Sequence, residues 1–313
     1  MILHTIIDNQ PSKDTSGPNL QSEHGLCFQF TSDGKNYLID TGASGAFIGN
    51  MEALAGNGIC NVEDIDAVFI SHGHNDHTGG LRKFFEHNSK APVYLHNSIR
   101  GNFFYSCRPK KGVREARNIG MEQALFADFG HRFTEIGEIT RITEKITLIP
   151  LSGRRDFPTP MGNEFLYCND LPDNFTHEVA VLVEYAPEEF AVISPCSHNG
   201  ILNILEDCRE WIERKYGNGS KSGSNAGMWR KVDCAEMIKH FVGGLHYVDY
   251  LLMGQGEKEA ASILETASII KEKYPLLKIH TGHCTCTRAA ELLADALGCR
   301  CSIFCSGYTI GLE

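Results

Sequence analysis

The stretch SHGHNDHTGG, Ser71–Gly80, decides the reading of this chain. His72, His74, Asp76 and His77 crowd into it, with glycines between and behind them. Imidazole is a moderate base and the commonest metal-binding side chain. Val68, Phe69 and Ile70 just before it have the β-branched and aromatic character of a buried strand. In extended chain, residues two apart point to the same side. His72 and His74 can therefore close on one metal ion, with Zn–N bonds of about 2.0–2.1 Å. Asp76 and His77 follow where the chain turns into a helix over TGGLRKFFEH, and their offset suits a second, neighbouring metal. Gly73 is expected to permit a tight turn, and Gly79 and Gly80 a close approach at the helix start. The competing reading is a hydrogen-bonded polar loop without metal.

Four local residues do not complete two sites. Further ligands are expected at the ends of other strands. The candidates are His177 in NFTHEVAVLVE, Cys196 and His198 in SPCSHNG, His246 in GGLHY and His283 in TGHCTC. His198 and His283 stand out because both sit in Gly-bearing strand-to-helix loops like the first. His177 precedes a strand. Cys196 reads either as a thiolate ligand or as a small buried residue. His246 is expected nearer the substrate than the metal.

The rest of the chain supports a layered α/β protein. A β-rich run, a polar loop and a helical segment recur at NYLIDTGASGAF, DAVFISHGHNDHTGGLRKFF, FAVISPCSHNGILNIL and LKIHTGHCTCTRAAELLADAL. Such units gather ligands beyond the strand ends. GLCFQF, APVYLH, KITLIP and EVAVLVEY read as further strands. GEKEAASILETASIIKEKYP reads as an amphipathic helix with Ala260, Ile263, Leu264, Ala267 and Ile270 on its apolar face. The 313 residues are read as a single domain, 1–313, with insertions near 97–132 and 207–232. The later insertion holds GNGSKSGSNAG (217–227), flexible by composition. The earlier one mixes Arg100, Arg108, Lys110, Lys111, Arg114 and Arg117 with Phe103, Phe104 and Tyr105. That mixture suits an anionic, ring-bearing substrate or a solvated charged face, and Arg114 and Lys111 are its candidate substrate contacts.

A net charge of -10 argues against general nucleic-acid or anionic-membrane binding. No apolar run approaches the roughly 20 residues that span a bilayer. MILHTIIDNQ reads as a first strand and not a signal peptide, so a cytoplasmic protein with its 12 cysteines reduced is expected. The expected partner is a small anionic molecule; the oligomeric state is not legible.

The string at His72, His74, Asp76 and His77 resembles the H-x-H-x-D-H signature of the metallo-β-lactamase-fold superfamily. IIDN, LIDTGASGAFIGN, SPCSHNGILNIL, GGLHY and HCTC are similar to one branch of it. That branch comprises metal-dependent hydrolases and the archaeal dihydropterin–ribofuranosyl-aminobenzene-phosphate synthase-like proteins. The resemblance implies an α/β fold of αββα type, a four-layer sandwich with a binuclear metal site at one edge. It implies a third ligand near His177, a bridging ligand near Cys196 or His198, and a last histidine at His283. It departs from the pattern at PCSH, where the superfamily commonly bridges with aspartate, at Pro195, where the branch usually has glycine, and at HCTC in place of HCTG. The cofactors implied are two divalent ions, Zn2+ with Fe or Mn as alternatives.

The chemistry expected is metal-dependent hydrolysis of a phosphoester or related ester by metal-bound hydroxide. Asp76 would orient the nucleophile, and Asp40 in LIDTG is a candidate to hold an imidazole in place. A pterin-related synthase-like transferase and a di-iron redox protein are the alternatives. The redox reading is weakened because no attached flavin domain is legible. Replacing Arg114 and Lys111 by alanine should raise KM for anionic substrates only. An equal change with neutral substrates would remove the basic segment from recognition.

Overall fold

A computed structural model describes residues 1–14, 16–109, 113, 115–216, 233–248 and 255–312. The first sheet comprises β1 (Ile2–Ile7), β2 (Cys27–Ser32), β3 (Lys35–Ile39), β4 (Ile65–Phe69), β5 (Val93–His96), β8 (Phe133–Ile136) and β18 (Thr309–Gly311). Its order is β18-β1-β2-β3-β4-β5-β8. The second comprises β9 (Thr140–Arg141), β10 (Ile146–Pro150), β13 (Val179–Ala186), β14 (Glu189–Ile193), β15 (Ile238–Val242), β16 (Lys278–Thr281) and β17 (Cys301–Ile303), in the order β17-β16-β15-β14-β13-β10-β9. A small third sheet joins β6 (Phe104–Ser106), β7 (Arg117–Asn118), β11 (Leu166–Cys168) and β12 (Leu171–Pro172).

The helices are α1 (Ala46–Leu54), α2 (Asn75–Thr78), α3 (Leu81–His87), α4 (Leu125–Asp128), α5 (Ile201–Tyr216), α6 (Cys234–Met237), α7 (Gly256–Lys273) and α8 (Thr287–Leu297). Three apolar clusters show how the layers stack. Phe28, Phe30, Tyr37 and Phe69 of the first sheet meet Val181, Val183, Ile193 and Val242 of the second. The opposite faces of the same strands, such as Leu38 and Val68, pack under α1 and α3. Leu182 and Val192 pack under α5, α7 and α8. The strands alternate with period two, and both faces are apolar because both are covered. The αββα sandwich expected from the sequence is the fold observed.

Both large sheets share one design. Strands β3, β4, β5 and β8 run parallel, as do β14, β15, β16 and β17. A parallel neighbour needs a crossover, so polar loops collect at the carboxyl ends of the strands in each half.

Of the later segment, 207–216 form the end of α5, where Cys208 and Ile212 are buried at helical spacing; 217–232, including GNGSKSGSNAG, lie outside the described residues. One expectation needs correction. In α7 the buried stripe is Ile263, Ala267 and Ile270, while Leu264 is 47% exposed, since one residue turns the helix by about 100° off the stripe. Part of the earlier insertion forms β6 and β7 of the small sheet. Among the described residues, no helix is long and apolar enough to cross a membrane, and no disulfide joins the cysteines.

Phe28 is fully buried between the sheets, edge-on to Phe304 at 5.3 Å between ring centroids. Phe28→Ala should cost about 3–5 kcal/mol, read as a lower denaturant midpoint at unchanged slope.

Candidate metal centre

Five strand ends converge on one edge of the sandwich. β3 leads into Asp40, β4 into His72–His77, β14 into Cys196–His198, β15 into His246, and β16 into His283 and Cys284. Four of these loops leave through a left-handed residue that is not glycine: Asp40 (φ 60°), Ser197 (57°), His246 (51°) and His283 (53°). Each such conformation costs on the order of 1–2 kcal/mol, and persists where neighbouring contacts over-determine it.

The ring nitrogens gather in two sets. In the first, His72 Nε2 lies 3.1 Å from His74 Nδ1, and His198 offers a nitrogen within 4.8 Å of both. In the second, His77 Nε2 lies 3.1 Å from His283 Nε2, and Asp76 Oδ2 is 3.6 and 3.4 Å from the same two atoms. Cys196 Sγ is 3.3 Å from His77 Nε2 and groups with His72 as well, so it stands between the sets. Thus His72, His74, Asp76, His77, Cys196, His198 and His283 are all brought together.

The outward nitrogens identify the tautomers. Ser71 Oγ has one hydrogen and donates it to Asp40 Oδ2 (2.7 Å), so His72 Nδ1 must donate to Ser71 Oγ (2.9 Å). His77 Nδ1 faces the same carboxylate oxygen at 2.6 Å and must also donate. Asn163 clasps His198: its Oδ1 accepts from Nδ1 (3.1 Å) and its Nδ2 donates to the His198 carbonyl (2.8 Å). Asn9 clasps His283 in the same way, at 3.0 Å on each side. His74 turns Nε2 toward Asp173 Oδ2, 3.8 Å away. The inward nitrogens of His72, His77 and His198 are then bare lone pairs.

Buried His198 Nε2 and His74 Nε2 both lack a hydrogen-bond partner. A divalent cation would give His198 Nε2 a partner. Two nitrogens on one tetrahedral zinc, with bonds of about 2.0–2.1 Å, lie about 3.3 Å apart. Fixing the outer N–H of each imidazole is also what orients metal-binding histidines. The residues therefore fit a pair of divalent ions.

Electrostatics agree with neutral imidazoles in the first set, whereas burial would lower His283 but Asp76 and Cys284 raise it to about 9. Burial pushes His72 and His198 well below the ordinary histidine value, and nearby histidines add to the shift; burial lowers His74 too. Burial alone would raise the Asp76 carboxyl, but His77 and His283 hold it well below the usual range, so it is ionised. The Cys196 thiol is pushed up by burial. Burial also opposes ionisation of Cys284, yet hydrogen bonding from Cys196 and His246 and the charge on His283 hold it low.

His177 groups with His74 and Asp173 as side chains that could hold a metal ion. Its Nδ1 accepts from the Gly73 N–H (3.1 Å) and its Nε2 donates to Asp173 Oδ2 (3.0 Å), so both nitrogens already have partners. It braces the His72–His74 loop, and His198 brings a third nitrogen to His72 and His74. Gly73 serves a different purpose from the tight turn expected: a Cβ there would lie 2.6 Å from Phe104 Cε2, so glycine admits that ring beside the histidines. Glu178 carries the PCSH loop, its carboxylate accepting from the N–H of His198 and of Asn199, each at 2.8 Å.

Sequence reading passed over Asp173, Asn9, Asn163 and Cys284 as parts of this site. Asp173 and Cys284 had a signal, standing four residues before His177 and directly after His283; Asn163 had none. Of the basic segment, Arg100 pairs with Glu135 and covers Phe126, while Arg108 reaches the site; Lys110, Lys111 and Arg114 lie outside the described residues.

A cleft of about 690 Å³ opens over the two sets. Its walls include His24, Arg108, His246, Cys284 and Arg288. His246 is 9% exposed and neither of its ring nitrogens has a hydrogen-bond partner.

The chain has the metallo-β-lactamase fold, with the H-x-H-x-D-H string at the edge where the two sheets meet. Residues 23–108 match the Metallo-beta-lactamase superfamily. Over 304 residues the chain is 26% identical to the Methanocaldococcus jannaschii 7,8-dihydropterin-6-methyl-4-(beta-D-ribofuranosyl)-aminobenzene-5'-phosphate synthase, covering 91% of this chain and 89% of that one. It is also similar to a crystal structure of a metal-dependent hydrolase of the beta-lactamase superfamily. There the identity is 24% and the TM-score 0.67, over 100% of this chain and 99% of that one.

Asp40→Asn replaces a carboxylate that accepts from the Ser71 N–H, Ser71 Oγ and His77 Nδ1 with an amide whose single oxygen cannot accept from all three. It should weaken divalent-metal affinity by about 10–100-fold, measured by competition with a chromogenic chelator.

Proposed function

We propose that this chain is a metal-dependent hydrolase acting on a small anionic ester, with phosphoesters preferred. The observation that carries this reading is the pair of facing donor sets, His72/His74/His198 and Asp76/His77/His283, at the floor of a cleft with arginine in its walls. Two divalent ions held there would lower the pKa of water to about 7 and neutralise charge on a phosphoryl or carbonyl oxygen.

The other work belongs to the chain. The ionised Asp76 carboxylate accepts a hydrogen bond from the attacking water and orients it. Arg288 has a buried Nη1 without a partner and lines the cleft at the first turn of α8, beside Thr287. The N–H groups of that turn and the guanidinium both favour an anion. Arg108 faces the same space. His246, with unpartnered ring nitrogens, is placed to give a proton to the leaving oxygen.

The synthase similarity supports a second reading, a transferase acting on a phosphorylated ribose with an aromatic partner. The product in that relative's name is both ring-bearing and phosphorylated. A cleft of about 690 Å³ is within the usual range for such ligands. Anion recognition by Arg288 is common to both readings; what differs is whether water or an organic nucleophile attacks.

The purified protein should hold one to two transition-metal ions per chain and hydrolyse a chromogenic phosphodiester or ester. Chelation should remove activity and metal should restore it. His74→Ala or Asp76→Ala should abolish hydrolysis with the circular dichroism spectrum preserved. Full activity in metal-free protein would overturn the mechanism. Turnover of phosphoribosyl donors only when an aromatic acceptor is present would favour the transferase. Arg288→Ala should raise KM for anionic substrates by about tenfold or more, from the ~1.5–3 kcal/mol of a charged hydrogen bond.

A further inference from the structure

The mechanism above leaves one group beside the second donor set without a role. Cys284 follows His283 directly, and its Sγ lies 3.5 Å from Cys196 Sγ. Cys196, His283 and Cys284 each offer a ligand atom within 4.8 Å of the others. Two thiolates on one tetrahedral zinc, with Zn–S bonds of about 2.3 Å, stand about 3.8 Å apart. The pair is therefore already near the spacing of two ligands on one ion.

The surroundings hold Cys284 in that position. The His246 N–H donates to its Sγ at 3.2 Å, the kind of outer contact that orients a metal-binding sulfur. Residue 244 must be glycine for the sulfur to fit, because a Cβ there would collide with Cys284 Sγ. The same sulfur lines the cleft, so an ion bound to it would face incoming substrate.

We propose that Cys284 is a metal ligand and that, with Cys196 and His283, it forms a dithiolate site for a thiophilic divalent cation beside Asp76 and His77. This rests on the metal reading above and adds to it. On binding, each sulfur coordinates as thiolate, any proton it carries passing to solvent, and no electrons move. Thiolate donors favour Zn2+ and Co2+ over the oxygen-seeking Mg2+ and Mn2+.

Cobalt(II) is the probe. Loaded into the full chain, it should give near-ultraviolet sulfur-to-cobalt charge-transfer absorption that falls by about half in Cys284→Ser and by about half in Cys196→Ser. It should vanish in the double variant and be unchanged in Cys299→Ser, a control at an exposed cysteine. In the unmodified protein, cobalt should also protect both Cys196 and Cys284 from iodoacetamide, mapped by mass spectrometry. That second measurement does not depend on any variant folding. Undiminished absorption in Cys284→Ser, or Cys284 alkylating equally fast with and without cobalt, overturns this proposal and leaves the metal centre standing. Failure to take up cobalt at all overturns both.

Discussion

The site depends on one buried carboxylate. Asp40 sits at the end of β3 in a left-handed backbone conformation and is wholly shielded from solvent. Burying a carboxylate is costly unless its oxygens are hydrogen-bonded. Here Oδ1 accepts from the Ser71 N–H at 2.8 Å, and Oδ2 accepts from Ser71 Oγ and His77 Nδ1. These contacts join the ends of two adjacent parallel strands. They also set, directly or through Ser71, the tautomers of one histidine in each donor set. Asp40 thus couples the backbone of the first sheet to the direction in which the metal-facing nitrogens point.

The second sheet answers with its own strand ends. Neither sheet alone completes a site: His198 must join His72 and His74, and His283 must join Asp76 and His77. The apolar layer between the sheets, built from rings such as Phe28, Tyr37 and Phe69, therefore has a functional consequence beyond stability. It sets how closely the two groups of loops approach. Glu178 and Val179 reinforce this at the start of β13. The Val179 N–H donates to the Ser71 carbonyl at 2.7 Å, while the Glu178 carboxylate holds the loop bearing His198.

Much of this was legible in the residues themselves. The runs rich in Val, Ile, Phe and Leu located β2, β5, β10 and β13, and four strand–loop–helix units pointed to the edge where ligands would collect. His72, His74, Asp76 and His77 were readable because they are local, with their mutual geometry following from an extended step and a helical turn. His198 and His283 could be proposed from their loops. What could not be read was rank among the distant candidates. His177 carries the same side chain as His198, and only the folded structure shows the Gly73 N–H and Asp173 on its two nitrogens while His198 Nε2 has no partner.

By itself, the sequence determined the layers, the local half of the candidate metal centre and the acidic, thiol-rich character of the chain. These follow from periodicity and short-range spacing, which the covalent chain enforces. The tertiary structure alone decided which distant groups meet: Asn9 with His283, Asn163 with His198, Cys284 with Cys196. Those pairs are separated by between 35 and 274 positions. Their distances depend on how two sheets pack face to face, a quantity that no local pattern of residues encodes.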